Sequence, residues 1–188
     1  LIGERIPTSV MNAVGFGLDQ STMFDSDNPS RLIVLVSPLY VDSLPSEVLE
    51  MFSTLEGEDL EDIKFMAILN CGFPESEQND TAIEICSHFS EANGMCWWGG
   101  LAIGGGGAID GRILSPNGPE QNLVMALDMV CDSIMSGIDV PEEAFILASQ
   151  RFFPVWLYLV AANHQWKTRA RGRGAERSLK HRPYRSDG

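Results

Sequence analysis

The stretch Leu32-Ile33-Val34-Leu35-Val36-Ser37-Pro38 constrains the chain more than any other. Five consecutive apolar residues without alternation suit a strand buried on both faces, as in a parallel sheet. Proline cannot donate to a sheet ladder, so the strand is expected to stop at Ser37-Pro38. A compact loop follows, and Pro45-Ser46-Glu47 opens a helical pattern carried by Val48, Leu49, Met51, Phe52 and Leu55. Strand, loop and helix form the repeating unit of an open α/β sheet, in which ligands bind at the carboxyl ends of the strands.

The same rhythm recurs twice. Phe65–Leu69 reads as a second buried strand, ending in the polar, glycine-bearing loop Asn70-Cys71-Gly72-Phe73-Pro74-Glu75. Asn79 or Asp80 is expected to cap the next helix, with Ala82, Ile83, Ile85, Cys86 and Phe89 as its apolar stripe and Asn93-Gly94 as its end. Met95–Ile103 reads as a third strand, with Trp97 and Trp98 as exposed aromatics at its start. The glycines 104–107 then read as a flexible loop or lid, and Ala108–Asn117 as an irregular loop. Pro119–Met135 is predicted as a long helix burying Leu123, Leu127, Val130 and Ile134. Pro141-Glu142-Glu143 opens a short turn, and Phe152–Lys167 forms a final helix. Right-handed crossovers between three such units make the sheet parallel. Before them, Ser9–Leu18 is at most a weak helix and Asp19–Ser30 a loop.

The 188 residues suffice for one domain with a real core. We expect a single domain over residues 1–168, its first 30 residues irregular, and a poorly ordered basic tail over 169–188. No apolar run is long enough to span a bilayer. Charge is segregated: residues 1–150 carry a net −20 and residues 151–188 a net +7. So acidic a body argues against nucleic-acid binding. The basic tail is expected to sit on an acidic surface or in solvent, and membrane contact through it is disfavoured. Cys71, Cys86, Cys96 and Cys131 form no CxxC pair and no metal-spaced cluster, so reduced, buried, inert thiols in a cytoplasmic protein are expected.

Chemistry is concentrated in two loops that should lie side by side. In the first, Tyr40 offers an aromatic face, and Ser37 and Ser43 offer hydrogen bonds. In the second, Gly72 permits close backbone approach and Phe73 can stack. The glycine run is not a GxGxxG or Walker loop. His88, His164 and His181 fall in no nucleophile motif, and G-x-S-x-G is absent.

Ser37-Pro38-Leu39-Tyr40-Val41-Asp42-Ser43-Leu44-Pro45 and Asn70-Cys71-Gly72-Phe73 with Gln78-Asn79 resemble the flavodoxin-like NAD(P)H-dependent oxidoreductases of the FMN reductase type. So do Pro154, Leu157-Tyr158, Asn163, Trp166 and Arg182-Pro183-Tyr184. The resemblance implies a flavodoxin-like three-layer sandwich around a parallel sheet, with Leu32–Val36, Phe65–Leu69 and Trp98–Ile103 as its third to fifth strands. It implies that Ser37, Pro38, Leu39, Tyr40 and Val41 on one side, and Asn70, Cys71, Gly72 and Phe73 on the other, hold the isoalloxazine ring of FMN. NAD(P)H would be the co-substrate, and a quinone, flavin or similar small molecule the electron acceptor. A homodimer, with Trp97 and Trp98 reaching the partner's pocket, is also implied. The family's first strand and phosphate loop have no counterpart here, which points to a sequence truncated at its start. The alternative is a degenerate, non-catalytic flavodoxin-like module acting as electron carrier or partner-binding domain.

Overall fold

The computed structural model describes residues 32–109 and 113–180. They fall into two compact units that divide between Phe152 and Phe153. The first is an α/β unit: β1 (Leu32–Pro38), α1 (Ser46–Leu55), β2 (Lys64–Asn70), a 3-10 turn (Ser76–Asn79), α2 (Asp80–Ala92), β3 (Cys96–Ile103), a short α3 (Gly106–Ile109), α4 (Gln121–Ser136) and α5 (Glu142–Ala148). The second holds α6 (Val155–Gly172) and a 3-10 turn (Glu176–Lys180). No described helix is long and apolar enough to cross a membrane.

The three strands are parallel in the order β1-β2-β3, with helices on both sides of the sheet. Phe65, Met66, Ala67, Ile68 and Leu69 are all buried, which is the burial that an unbroken apolar run predicts for a central strand. On one face, Leu35, Phe65, Ala67 and Leu69 pack against Val48, Phe52 and Leu55 of α1 and Ala82, Cys86 and Phe89 of α2. On the other, Met66, Ile68, Leu101 and Ile103 meet Leu123, Ala126 and Val130 of α4 and Ala144 and Ala148 of α5. Leu127 and Ile134 pack at the rim of this second cluster. The helices end as expected at Asn93-Gly94 and at Gly137, whose φ of +69° is the left-handed C-cap of α4.

Several expectations are corrected. Strand β1 is not buried on both faces: its one strand partner among the described residues is β2, and Val36 is 69 % exposed. It ends at Pro38, as expected, with Pro38 still in register with Asn70. Leu39 N–H donates to Asn70 (2.7 Å), so by alternation the N–H that proline lacks falls on the unpaired side. Trp98 is buried, not exposed. Phe65 pairs with Trp97 and Met66 with Gly99, so Trp98 is the extra residue of a bulge. Its indole N–H donates to Asp139 (3.1 Å), and Lys64 Nζ lies 4.1 Å from the ring centre. Trp97 packs on Phe65. Both tryptophans sit at the amino end of β3, away from the strand ends that carry the candidate site.

Asn79 precedes α2 but its side chain does not cap it. Its amide donates instead to Ser76 O (2.9 Å) and Ile103 O (3.2 Å). The final helix runs through Gly172, so residues 169–180 are structured rather than a loose tail, and Arg171 is paired with Glu176 at 2.7 Å. The turn expected at Pro141 is the two-turn helix α5. None of the four cysteines is in a disulfide. Cys71, Cys86 and Cys131 are buried, but Cys96 is exposed at the start of β3. Ser9–Leu18, Asp19–Ser30 and Arg182-Pro183-Tyr184 lie outside the described residues.

Candidate functional site

The carboxyl ends of the three strands are knitted together by main-chain hydrogen bonds. Leu39 N–H reaches across from β1 to Asn70, and Cys71 N–H donates to Ile103 at the end of β3 (3.0 Å). Gly106 N–H returns to Cys71 O (2.8 Å) and Gly105 N–H to Phe73 O (2.5 Å). The loops after β1, β2 and β3 thus form one ledge. That is the edge at which open α/β sheets bind ligands.

The first loop is a tight two-residue turn. Tyr40 and Ser43 exchange backbone hydrogen bonds at 3.0 and 3.2 Å, leaving Val41 and Asp42 at the tip with φ of 54° and 55°. Two successive positive φ values define a type I′ turn, which favours Asn-Gly. A β-branched Val41 in the left-handed region carries about 1–2 kcal/mol of strain. Its side chain is 98 % exposed, so packing does not repay that strain. Val41→Asn is therefore expected to raise stability by about 1 kcal/mol in urea unfolding. A loss of stability would show that the valine side chain is needed where it stands.

The nine residues singled out from the sequence divide by environment. Tyr40 and Phe73 expose more than half their surface, and Phe73 is not a core anchor. Pro38 is exposed, Leu39 and Asn70 half-buried. Gly72 is exposed, with open space where a side chain would stand. Ser37 and Cys71 are turned inward. The Ser37 hydroxyl donates to Pro38 O (3.0 Å). The Cys71 thiol donates to Glu75 O (3.2 Å) and Phe73 O (3.4 Å). Burial pushes that thiol above its ordinary pKa, against the smaller opposing pull of hydrogen bonding by the Phe73 backbone and the Asn79 side chain. A thiol held protonated is a poor nucleophile, which argues against a redox cysteine here.

Sequence reasoning missed the third wall. The glycine run is not a free lid. A side chain on Gly104 would stand 2.5 Å from Pro74 O, and one on Gly106 would stand 3.0 Å from Cys71 O and 3.3 Å from Asn70 Oδ1. Gly104 and Gly106 allow the backbones after β2 and β3 to touch, and Gly106-Gly107 already belong to α3. Four glycines directly after the apolar strand end Leu101–Ile103 were the available signal. Arg151 adds a cation near the rim, 3.9 Å from Glu75. Among the described residues no cluster of His, Cys, Asp and Glu could hold a metal ion.

Chemically, the ledge offers two exposed aromatic faces, Tyr40 and Phe73, and open backbone at Gly72. The turn's own hydrogen bonds use Tyr40 and Ser43, leaving the Val41 and Asp42 amides at its tip. No family model matches the chain, and neither does a curated protein or a solved structure.

Proposed function

We propose that this chain is an FMN-dependent NAD(P)H oxidoreductase of flavodoxin-like, three-layer architecture, working in the cytoplasm on a quinone, flavin or similar small acceptor. The observation that carries the reading is the ledge at the strand carboxyl ends, with Tyr40 exposed in the loop after β1 and Phe73 exposed next to open backbone at Gly72 in the loop after β2. A planar heteroaromatic ring suits such a surface, since it needs stacking faces and edge-on amides more than charge. The nine residues include no cation. They fit the neutral isoalloxazine ring rather than the phosphate of FMN.

Bound FMN would supply the redox chemistry, taking a hydride from NAD(P)H and delivering electrons to the acceptor. The chain's own part is binding and orientation. Tyr40 and Phe73 would stack, the Val41 and Asp42 amides would donate to the ring edge, and Gly72 would leave room for close approach. Ser37 and Cys71, both turned inward, would brace the loops instead of touching the ring. No side chain is assigned as acid or base.

Titration of FMN into the 188-residue chain, followed by flavin fluorescence and the visible spectrum, tests this. Saturable binding is expected, weakened about tenfold by Tyr40→Ala or Phe73→Ala, the scale of one aromatic stack. NAD(P)H oxidation should fall in parallel. One observation favours a second reading, a flavodoxin-like module without catalysis: the Leu39, Tyr40 and Cys71 amides are already used within the protein. Absence of FMN binding would overturn the oxidoreductase and leave that module.

A further inference from the structure

The sequence contains two Asn-Gly dipeptides, Asn93-Gly94 and Asn117-Gly118. In such a pair the glycine nitrogen can attack the side-chain amide before it, because glycine carries no side chain to shield that nitrogen. The fold gives the two pairs opposite surroundings. Asn93 ends α2, and its Nδ2 donates to Phe89 O (2.8 Å). Gly94 N–H donates to Glu91 O (3.2 Å) and Met95 N–H to Ser90 O (3.0 Å), the paired bonds of a Schellman motif, with Met95 buried. Both the carboxamide and the nitrogen that would attack it are therefore held, and freeing them means opening the end of α2.

Asn117 stands in a turn before α4. Ser115-Pro116-Asn117-Gly118 is closed by Gly118 N–H donating to Ser115 O (3.1 Å), and proline second with glycine fourth is what a type I turn favours. The Asn117 side chain is exposed. Its backbone N–H donates to Ser115 Oγ (3.3 Å), but its carboxamide has no hydrogen-bond partner among the described residues. Gly118 is fixed by packing: a side chain there would stand 2.7 Å from Oε2 of the buried Glu120. The position that must be glycine thus follows an asparagine whose amide nothing holds.

We propose that Asn117 is a site of spontaneous deamidation in the folded chain, and that its place in the fold shields Asn93 from the same reaction. The Gly118 backbone nitrogen gives its proton to solvent base and attacks Asn117 Cγ. The new N–C bond closes a succinimide ring, and the side-chain amide nitrogen takes up a proton and leaves as ammonia. Water then adds to either ring carbonyl and breaks its bond to the ring nitrogen. Opening at Cγ leaves aspartate at position 117. Opening at the main-chain carbonyl leaves isoaspartate, with the backbone running through the side chain. Water is consumed and ammonia released, and nothing is oxidised or reduced. Isoaspartate lengthens the backbone by a methylene just before Gly118, whose carbonyl accepts from Gln121 N–H (3.1 Å), so the change is felt where α4 begins.

Incubation of the full chain at 37 °C, followed by peptide mass spectrometry, tests the proposal independently of flavin binding. It is run at pH 7 and pH 8.5, below the range in which ionisation of Cys86 weakens the fold. The Asn117 peptide should gain the mass of amide-to-acid conversion, faster at the higher pH, and should separate into aspartate and isoaspartate isomers. The Asn93 peptide should react at least roughly tenfold more slowly, because the Asn93 carboxamide bond and the Schellman bonds must open there against one turn bond at Gly118. In guanidinium chloride the two rates should come together. Asn117→Gln should abolish the gain in its peptide, and since the side chain is exposed the variant should fold, which circular dichroism checks. An Asn117 peptide that stays an amide in the folded chain while reacting in guanidinium overturns the proposal. So do equal rates at the two sites in the folded chain, a preference for Asn117 that persists unchanged in guanidinium, or a mass gain without the isoaspartate isomer.

Discussion

Phe65→Ala is expected to lower the urea midpoint of the 32–152 unit by about 2 M, a loss of about 3–5 kcal/mol. Phe65 is 1 % exposed and sits where three aromatic rings meet. Phe52 and Phe89 stack face to face at 3.9 Å, and Phe65 meets both edge-on at 6.1 Å. Trp97 closes the cluster at 5.8 Å. Truncation removes a ring from between α1, α2 and the central strand at once. The cavity cannot collapse, because Phe65 lies on β2, which is paired on both edges. A domain has only about 5–15 kcal/mol in total, so the variant should be marginal at 37 °C. Leu49→Ala, on the partly exposed side of α1, serves as control and should shift the midpoint by a few tenths of a molar at most. A Phe65→Ala loss below 1 kcal/mol would mean that the cluster repacks.

That aromatic cluster was legible only in part before the structure. Phe52, Phe65 and Phe89 each lie on a strand run or helical stripe that the sequence pattern identifies. Trp97 and Trp98 point to opposite faces, as neighbours in a strand do, and each ring packs under a different helix layer, which the local pattern does not show; the bulge breaks the alternation only after Trp98. The central strand β2 was readable because an unbroken apolar run has one stable environment. The equally apolar β1 was misread because the environment depends on what flanks it, and local sequence holds no such information. The Tyr40 and Phe73 loops were legible as strand-end turns, since proline and glycine punctuate the chain there. Their coupling to Gly104–Gly106 was not, because it depends on backbone contact between segments some thirty residues apart. Asn79 shows the same limit. As a helix-start residue it should cap locally through Oδ1, but its Nδ2 is anchored on the carbonyls of Ser76 and Ile103, and the side chain so held makes no capping bond to α2.

Stability is expected to fall as pH rises from about 9 toward 12, and Cys86 should be a principal cause. Its thiol is fully buried under α2, and burial pushes its pKa up to about 12. In the unfolded chain a thiol ionises near 8.5–9. The folded state therefore holds the proton more tightly, and its advantage is complete below about pH 9. Above that, the unfolded chain gains a thiolate that the folded chain cannot accommodate. Stability then declines by about 1.4 kcal/mol per pH unit until the folded thiol itself ionises near 12. By pH 10.5 the loss should be about 2 kcal/mol. Cys71, also raised by burial, contributes with the same sign. The measurement is urea unfolding under reducing conditions at pH 7, 9 and 10.5, for the wild type and for Cys86→Ala. At pH 7 the alanine variant should be less stable, since it leaves a small cavity at a fully buried site. It lacks the thiol that ionises on unfolding, so its stability should decline less and the two curves should converge or cross by pH 10.5. Parallel curves across that range would show that the thiolate is tolerated inside the fold, through a shift of α2 that brings water to the sulfur.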